Sequence, residues 1–379
     1  MKKAALITWK FHNYGTVLQA FATNYFFNQM AYIPCDLINY DLDKKNLDIP
    51  KKYSIFEIIH KIYNRLRIWN QNRILRHYTT QWVSEIESRE SCFRAFIDKI
   101  PQTPKMKKES LYSLNSDYDL FICGSDQIWN PNFFDGSYML DFVDNNKIKI
   151  AFSPSFGTTD IPNKLRDVYR IKLSRLDAIS VREDVGCEIV QELVHKKALH
   201  LCDPTLLLSA KDWERALQFS AQEEQYILCY FLGDNKWYLD MVKKVQEYLN
   251  MPIRIIGVKW LSYTFENSEI IHPGPVEFVQ AIANASFVIT DSFHGMLFST
   301  NFNRKYMVLQ RFSEKMRCSE NGRLISFMRA AKLEKRYYTK AEDLRLECFE
   351  NLDSKQMDYI KNIRRNSIQY LLRYIKDDE

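Results

Sequence analysis

The feature that most constrains this chain is a recurrence of short aliphatic runs separated by longer stretches with helical spacing. The runs fall at residues 4–8, 35–39, 119–123, 148–152, 178–181, 226–232, 253–258, 287–290 and 306–309. They are rich in aliphatic residues, as buried parallel strands are. Between them, residues 17–30, 163–176, 212–219, 237–249 and 276–285 carry helical patterns. Strand and helix taken in turn predict an α/β protein, because parallel neighbours need a crossover, usually a helix. One series closes at 201–208 and a second opens at Tyr226, which places a boundary near Ser209. The expected fold is two Rossmann-like domains, 1–208 and 209–354, the first with a helical, basic insertion at 51–110. In the remainder, 355–379, Ile360, Ile363, Ile368, Leu371, Leu372 and Ile375 recur at the spacing of an amphipathic helix that packs back on the body.

Composition removes several classes of function. With 379 residues, 46% hydrophobic and 26% charged, the chain can bury a core and is not disordered. The net charge of +6 is mostly dispersed, so nucleic acid is not an expected partner, while a small anion is compatible. The apolar run behind Lys2 and Lys3 is too short for a signal peptide, and residues 226–232 fall far short of the roughly 20 needed to span a bilayer. No two of the eight cysteines are separated by only two residues, none has a histidine in a metal-ligand spacing, and Cys123, Cys202 and Cys229 sit in strand-like runs. A cytoplasmic location with no bound metal is expected. The exception to dispersed charge is the stretch from Lys51 to His77, where Lys51, Lys52, Lys61, Arg65, Arg67, Arg73 and Arg76 face one acid, Glu57. Its apolar residues keep helical spacing, which fits peripheral contact with an anionic membrane surface and equally a hairpin with a solvated basic face.

Only 10 glycines are present where average usage would give about 26, so each one at a strand end carries information. Gly15 follows the first strand in His12-Asn13-Tyr14-Gly15-Thr16-Val17-Leu18-Gln19, where Asn13, Gly15 and Gln19 are either a structural turn or ligand contacts. Gly124-Ser125-Asp126-Gln127-Ile128-Trp129-Asn130-Pro131 sets polar side chains beside an indole, a combination suited to sugar recognition or to bracing the sheet. Arg182 stands just past a strand, where a guanidinium clamps an anion or joins an ion pair. In Thr290-Asp291-Ser292-Phe293-His294-Gly295, a strand runs into a helix start with an imidazole, a side chain able to donate or accept a proton.

Taken in order, these motifs, together with Ser180-Val181-Arg182-Glu183 and Asp203-Pro204-Thr205-Leu206-Leu207, resemble the polysaccharide pyruvyltransferase family over about residues 4–310. The resemblance implies a fold like the two-domain glycosyltransferases of the B type. It also implies a reaction in which phosphoenolpyruvate, a co-substrate and not a cofactor, gives its pyruvate to a sugar as a cyclic ketal. The acceptor would be a saccharide, lipid-linked or not, facing the amino domain. Arg182 and His294 would be catalytic, and the donor would be held by Arg182, Ser292, His294, Gly295 and Arg311. The acceptor would meet Asn13, Gly15, Gln19, Ser125, Asp126, Gln127 and Trp129. Some family branches carry Arg where Ser292 stands, so a cation is missing, with Lys259, Arg304, Arg311 and Arg317 as its candidate replacements. The base is unassigned between Asp126 and Asp291. A nucleotide-sugar glycosyltransferase and an inactive saccharide-binding protein are the rival readings of the same architecture.

Overall fold

A computed structural model describes residues 2–42, 69–312 and 321–375. Among them, twelve strands form two six-stranded parallel sheets. The first sheet holds β1 (Ala4–Ile7), β2 (Cys35–Leu37), β3 (Leu120–Cys123), β4 (Ile148–Ala151), β5 (Ala178–Val181) and β6 (Leu199–His200), in the order 2-1-3-4-5-6. The second holds β7 (Glu224–Tyr230), β8 (Ile253–Ile256), β9 (Ser268–Ile271), β10 (Ala285–Thr290), β11 (Lys305–Leu309) and β12 (Tyr337–Tyr338), in the order 12-11-10-7-8-9. This is the expected pair of Rossmann-like halves. The edge strands β6, β9 and β12 are missing from the sequence reading because they are short or only partly buried and carry no continuous apolar run.

Continuous apolarity has the expected cause. Ala4 and Leu6 of β1 enter one core cluster while Ala5 and Ile7 enter another, since successive strand residues point to opposite faces. In β7, likewise, Leu228 and Tyr230 face one cluster and Ile227 and Cys229 the other. The inner clusters of the two sheets are one and the same, continued by Val17, Leu18, Trp213, Phe278 and Phe298. Tyr14 of the first half stacks on Phe278 of the second at 4.1 Å and donates to the Pro273 carbonyl at 2.6 Å. A shared apolar core of this kind holds the halves in one arrangement, so the space between them is preset.

The terminal helix Ser354–Ile375 buries Ile360, Ile363, Tyr370, Leu371 and Ile375. It returns to the first half, where Tyr370 donates to the Ala151 carbonyl at 2.9 Å and the Cys202 amide donates to Ser367 at 3.1 Å. Of the basic stretch from Lys51 to His77, residues 51–68 lie outside the described residues, and 69–77 are helical. No described helix is long and apolar enough to cross a membrane.

In each sheet the strand order reverses once, between β1 and β3 and between β7 and β10. Loops leaving the carboxyl ends of strands on either side of such a reversal diverge and leave a crevice, the place where open α/β sheets take ligands. The loops after β1, β3, β7 and β10 meet in a single cleft.

Candidate active site

Trp9, Phe11, Asn13, Thr16, Asp126 and Gln127 form the amino-terminal wall of this cleft. Leu232, Ser292, Phe293, His294, Arg311 and Arg323 form the opposite wall.

The first wall is built by hydrogen bonds local to the β1 and β3 loops. Asn13 caps the helix Tyr14–Tyr25, its side chain accepting from the Gly15 and Thr16 amides at 3.0 and 3.4 Å. Gln19 is fully buried one turn later, where it donates to Thr8 at 2.9 Å and accepts the Ser125 amide at 3.0 Å. Thr8 in turn donates to the Ser125 carbonyl at 3.1 Å, so Gln19, Thr8 and Ser125 close a ring tying the two loops together. Gln19 and Ser125 therefore shape the wall from behind and do not line it. Trp129 is likewise out of reach. It is fully buried, donates from its indole to the Tyr138 carbonyl at 3.0 Å and packs on Phe156. Of the sequence-predicted acceptor residues, Asn13, Asp126 and Gln127 reach the cleft.

Gly15 acts through its lack of a side chain, because a Cβ there would lie 1.9 Å from Nδ1 of His294. The imidazole, brought from the second half, rests directly on the first helix. Its Nε2 lies 3.5 Å from Oδ2 of Asp203, within ion-pair reach and long for a hydrogen bond. Ser292 caps the helix Phe293–Asn301 by accepting the Gly295 amide at 3.3 Å, and it lines the cleft. Gly295 is buried behind it.

Arg182 does not line the cleft. Its side chain is wholly buried beneath it, donating to Asp203 at 2.7 Å and to Asp126 at 3.0 Å. The surroundings favour the ion-pair alternative over the anion clamp. Asp126 also accepts Thr16 at 2.7 Å and the Gln127 amide at 2.8 Å, while Asp203 accepts the Thr205 amide at 3.0 Å. A continuous polar chain runs from Thr16 through Asp126, Arg182 and Asp203 to His294. Burial alone would raise both carboxyls, but Arg182, His294 and Arg323 hold Asp126 below the usual carboxylate range, and His294 and Arg182 do the same for Asp203.

The sign of the pH dependence follows. Carboxyls depressed in the fold contribute stability that is fully present above their unfolded value of about 3.9 and is lost as pH falls through the lower folded values. Melting temperature is expected to drop steeply below about pH 4, and Asp203→Asn to flatten that acid limb. An unchanged acid limb in the variant would show that Asp203 is not ionised in the fold.

Asp291 is occupied by a different task. It accepts the Leu232 and Gly233 amides, each at 2.7 Å, and so straps the β7 loop to the end of β10, and it is not among the residues lining the cleft. Of the candidate replacement cations, Arg311 lines the cleft, whereas Arg304 pairs with Glu223 at 3.1 Å and neither it nor Lys259 is among the lining residues. Arg317 lies outside the described residues. The sequence reading missed Arg323, which enters the same cleft from the helix Asn321–Ala330 with its guanidinium 3.9 Å from Asp126. Nothing in Asn321-Gly322-Arg323-Leu324 marks it, since its place depends on how that helix docks. Among the described residues no group of His, Cys, Asp and Glu fits a metal ion.

Two parallel α/β halves whose switch-point loops share one cleft define a two-domain protein of the GT-B-like class. The family model described as polysaccharide pyruvyl transferase matches residues 13–309, most of the chain. The chain belongs to that family. In fold it is similar to the S. aureus MnaA–UDP co-structure, at 11% identity over 99% of this chain and 96% of that one, with a TM-score of 0.52. The UDP-GlcNAc 2-epimerases of Methanocaldococcus jannaschii and Neisseria meningitidis also align. The first is 9% identical over 99% of both chains with a TM-score of 0.49. The second, solved with UDP-GlcNAc, is 11% identical over 98% of this chain and 100% of that one, at 0.47. No curated protein matches the chain in sequence.

Proposed function

We propose that the protein transfers pyruvate from phosphoenolpyruvate to a saccharide, forming a cyclic ketal and releasing phosphate. The observation that supports this reading is the division of labour in the cleft. Arg311, Arg323 and the imidazole of His294 stand on one wall, and aromatic and amide side chains on the other. A donor with phosphate and carboxylate groups suits the first wall, where two guanidiniums and a helix amino end meet. A sugar suits the second.

In this reading His294 protonates the methylene carbon of the enolpyruvyl group, which becomes the methyl group of the product. A sugar hydroxyl then adds to the electron-poor central carbon. The carbon–oxygen bond to phosphate breaks as Arg311 and Arg323 take up the charge, and a second hydroxyl closes the ring, each hydroxyl giving up its proton. Arg182 acts beneath the cleft, keeping Asp126 and Asp203 ionised and in place. The acceptor is a sugar of a polysaccharide or of its lipid-linked precursor.

Incubation with phosphoenolpyruvate, or with nucleotide sugars, and a panel of saccharides tests the proposal. Release of phosphate together with an acceptor mass gain of one pyruvate less one water is expected. Transfer of a sugar from a nucleotide sugar, with phosphoenolpyruvate left intact, would overturn it. Gly15→Ala offers a finer check, since the new methyl group must displace the His294 ring. Turnover is expected to fall about 100-fold, the scale of a misplacement of roughly 1 Å, with a stability loss of about 1–3 kcal/mol. Full activity in this variant would remove His294 from its assigned position.

A further inference from the structure

The segment between β1 and the helix Tyr14–Tyr25 turns its side chains alternately. Trp9 and Phe11 face the cleft, while Lys10 between them turns away to Asn39 and Gln102. Trp9 meets Phe11 with ring centroids 5.5 Å apart and Phe133 edge-on at 5.8 Å. Phe11 is 47% exposed and Phe133 50%. These two large rings are left half in water at the mouth of a polar cleft, where they add little to the core. The indole N–H of Trp9 is buried without a hydrogen-bond partner among the described residues. Asn13 and Gln127 line the cleft on the same wall. This arrangement supplies what the buried Trp129 cannot.

We infer that Trp9, Phe11 and Phe133, with Trp9 inclined 47° to Phe11 and 84° to Phe133, form an aromatic corner that takes a pyranose ring of the acceptor. A pyranose carries an apolar C–H face and a polar rim, so its face covers the rings while its hydroxyls meet amide side chains and water. Because Phe133 lies outside the cleft lining, the aromatic corner continues past the cleft in which His294 lies. The ring it holds is the neighbour of the reacting one, and the acceptor is at least a disaccharide. This inference rests on the saccharide-acceptor reading above, and binding without donor separates the two.

The test is saturation-transfer NMR and titration of the intact protein, without donor, against methyl pyranosides of glucose, galactose, mannose and N-acetylglucosamine and the corresponding disaccharides. At least one disaccharide is expected to bind more tightly than its monosaccharide. Phe11→Ala and Phe133→Ala should each weaken that disaccharide about tenfold, with Phe133→Tyr restoring it. Phe133 is surface-exposed, so its variant keeps the fold even where Trp9→Ala does not. The inference is overturned if no sugar in the panel binds, if disaccharides gain nothing over monosaccharides, or if the alanine variants bind as the parent does. Retained sugar binding in a protein that fails to bind phosphoenolpyruvate would sink the donor assignment alone.

Discussion

His294→Ala is expected to lower turnover by about 10²–10⁴-fold, the range lost when a general acid is removed. The fold should persist, because the imidazole packs against a glycine at the cleft wall and caps no core element. Donor affinity, measured by calorimetry, should fall much less than turnover, since Arg311 and Arg323 remain. Single-turnover release of phosphate against circular dichroism of the same sample decides the matter. Near-wild-type turnover in a folded variant would refute proton donation by His294. Unfolding would instead assign it a structural role as the bridge between Gly15 and Asp203.

Arg182→Met is expected to destabilise the protein by about 3–5 kcal/mol, because it strips the counter-charge from two buried carboxylates at once. Both carboxyls of Asp126 and Asp203 are at most 8% exposed, so water cannot replace the guanidinium. Arg182→Lys should also fall short, as an ammonium cannot reproduce a planar fork donating separately to two acceptors. The control is Arg182→Met combined with Asp126→Asn and Asp203→Asn. Removing the stranded charges should recover part of the loss in urea denaturation, a coupling that independent sites would not show. If Arg182→Lys is as stable as the parent and only donor affinity suffers, the guanidinium is a ligand clamp after all.

Much of this arrangement was legible in the chain itself. Aliphatic-rich runs with helices between them admit few alternatives to covered parallel sheets, since such runs need cover on both faces and parallel strands need crossovers. Glycine scarcity drew attention to Gly15, and the strand-to-helix transition at Ser292 and His294 marked a carboxyl-end loop. Those signals are local, because hydrogen bonding and side-chain periodicity within a few residues produce them.

What the tertiary structure alone decided is which side chains from distant loops share space. Trp129 and Trp9 both stand near polar residues after a strand, yet one is wholly buried and the other lines the cleft. Trp129 is enclosed by the chain that follows it, donating to the Tyr138 carbonyl and packing on Phe156, whereas Trp9 packs against the half-exposed Phe11 and Phe133. Asp203 appears in sequence as part of a motif without a role. Only docking of the second half brings His294 to it, across 91 positions of chain. Arg182 looks like an anion clamp until Asp126 and Asp203 arrive on either side, and Arg323 looks like any surface cation until its helix packs over the cleft. A sequence specifies the directions in which strands and helices project their side chains, whereas proximity between loops is a property of the closed core, where the two sheets share one apolar layer.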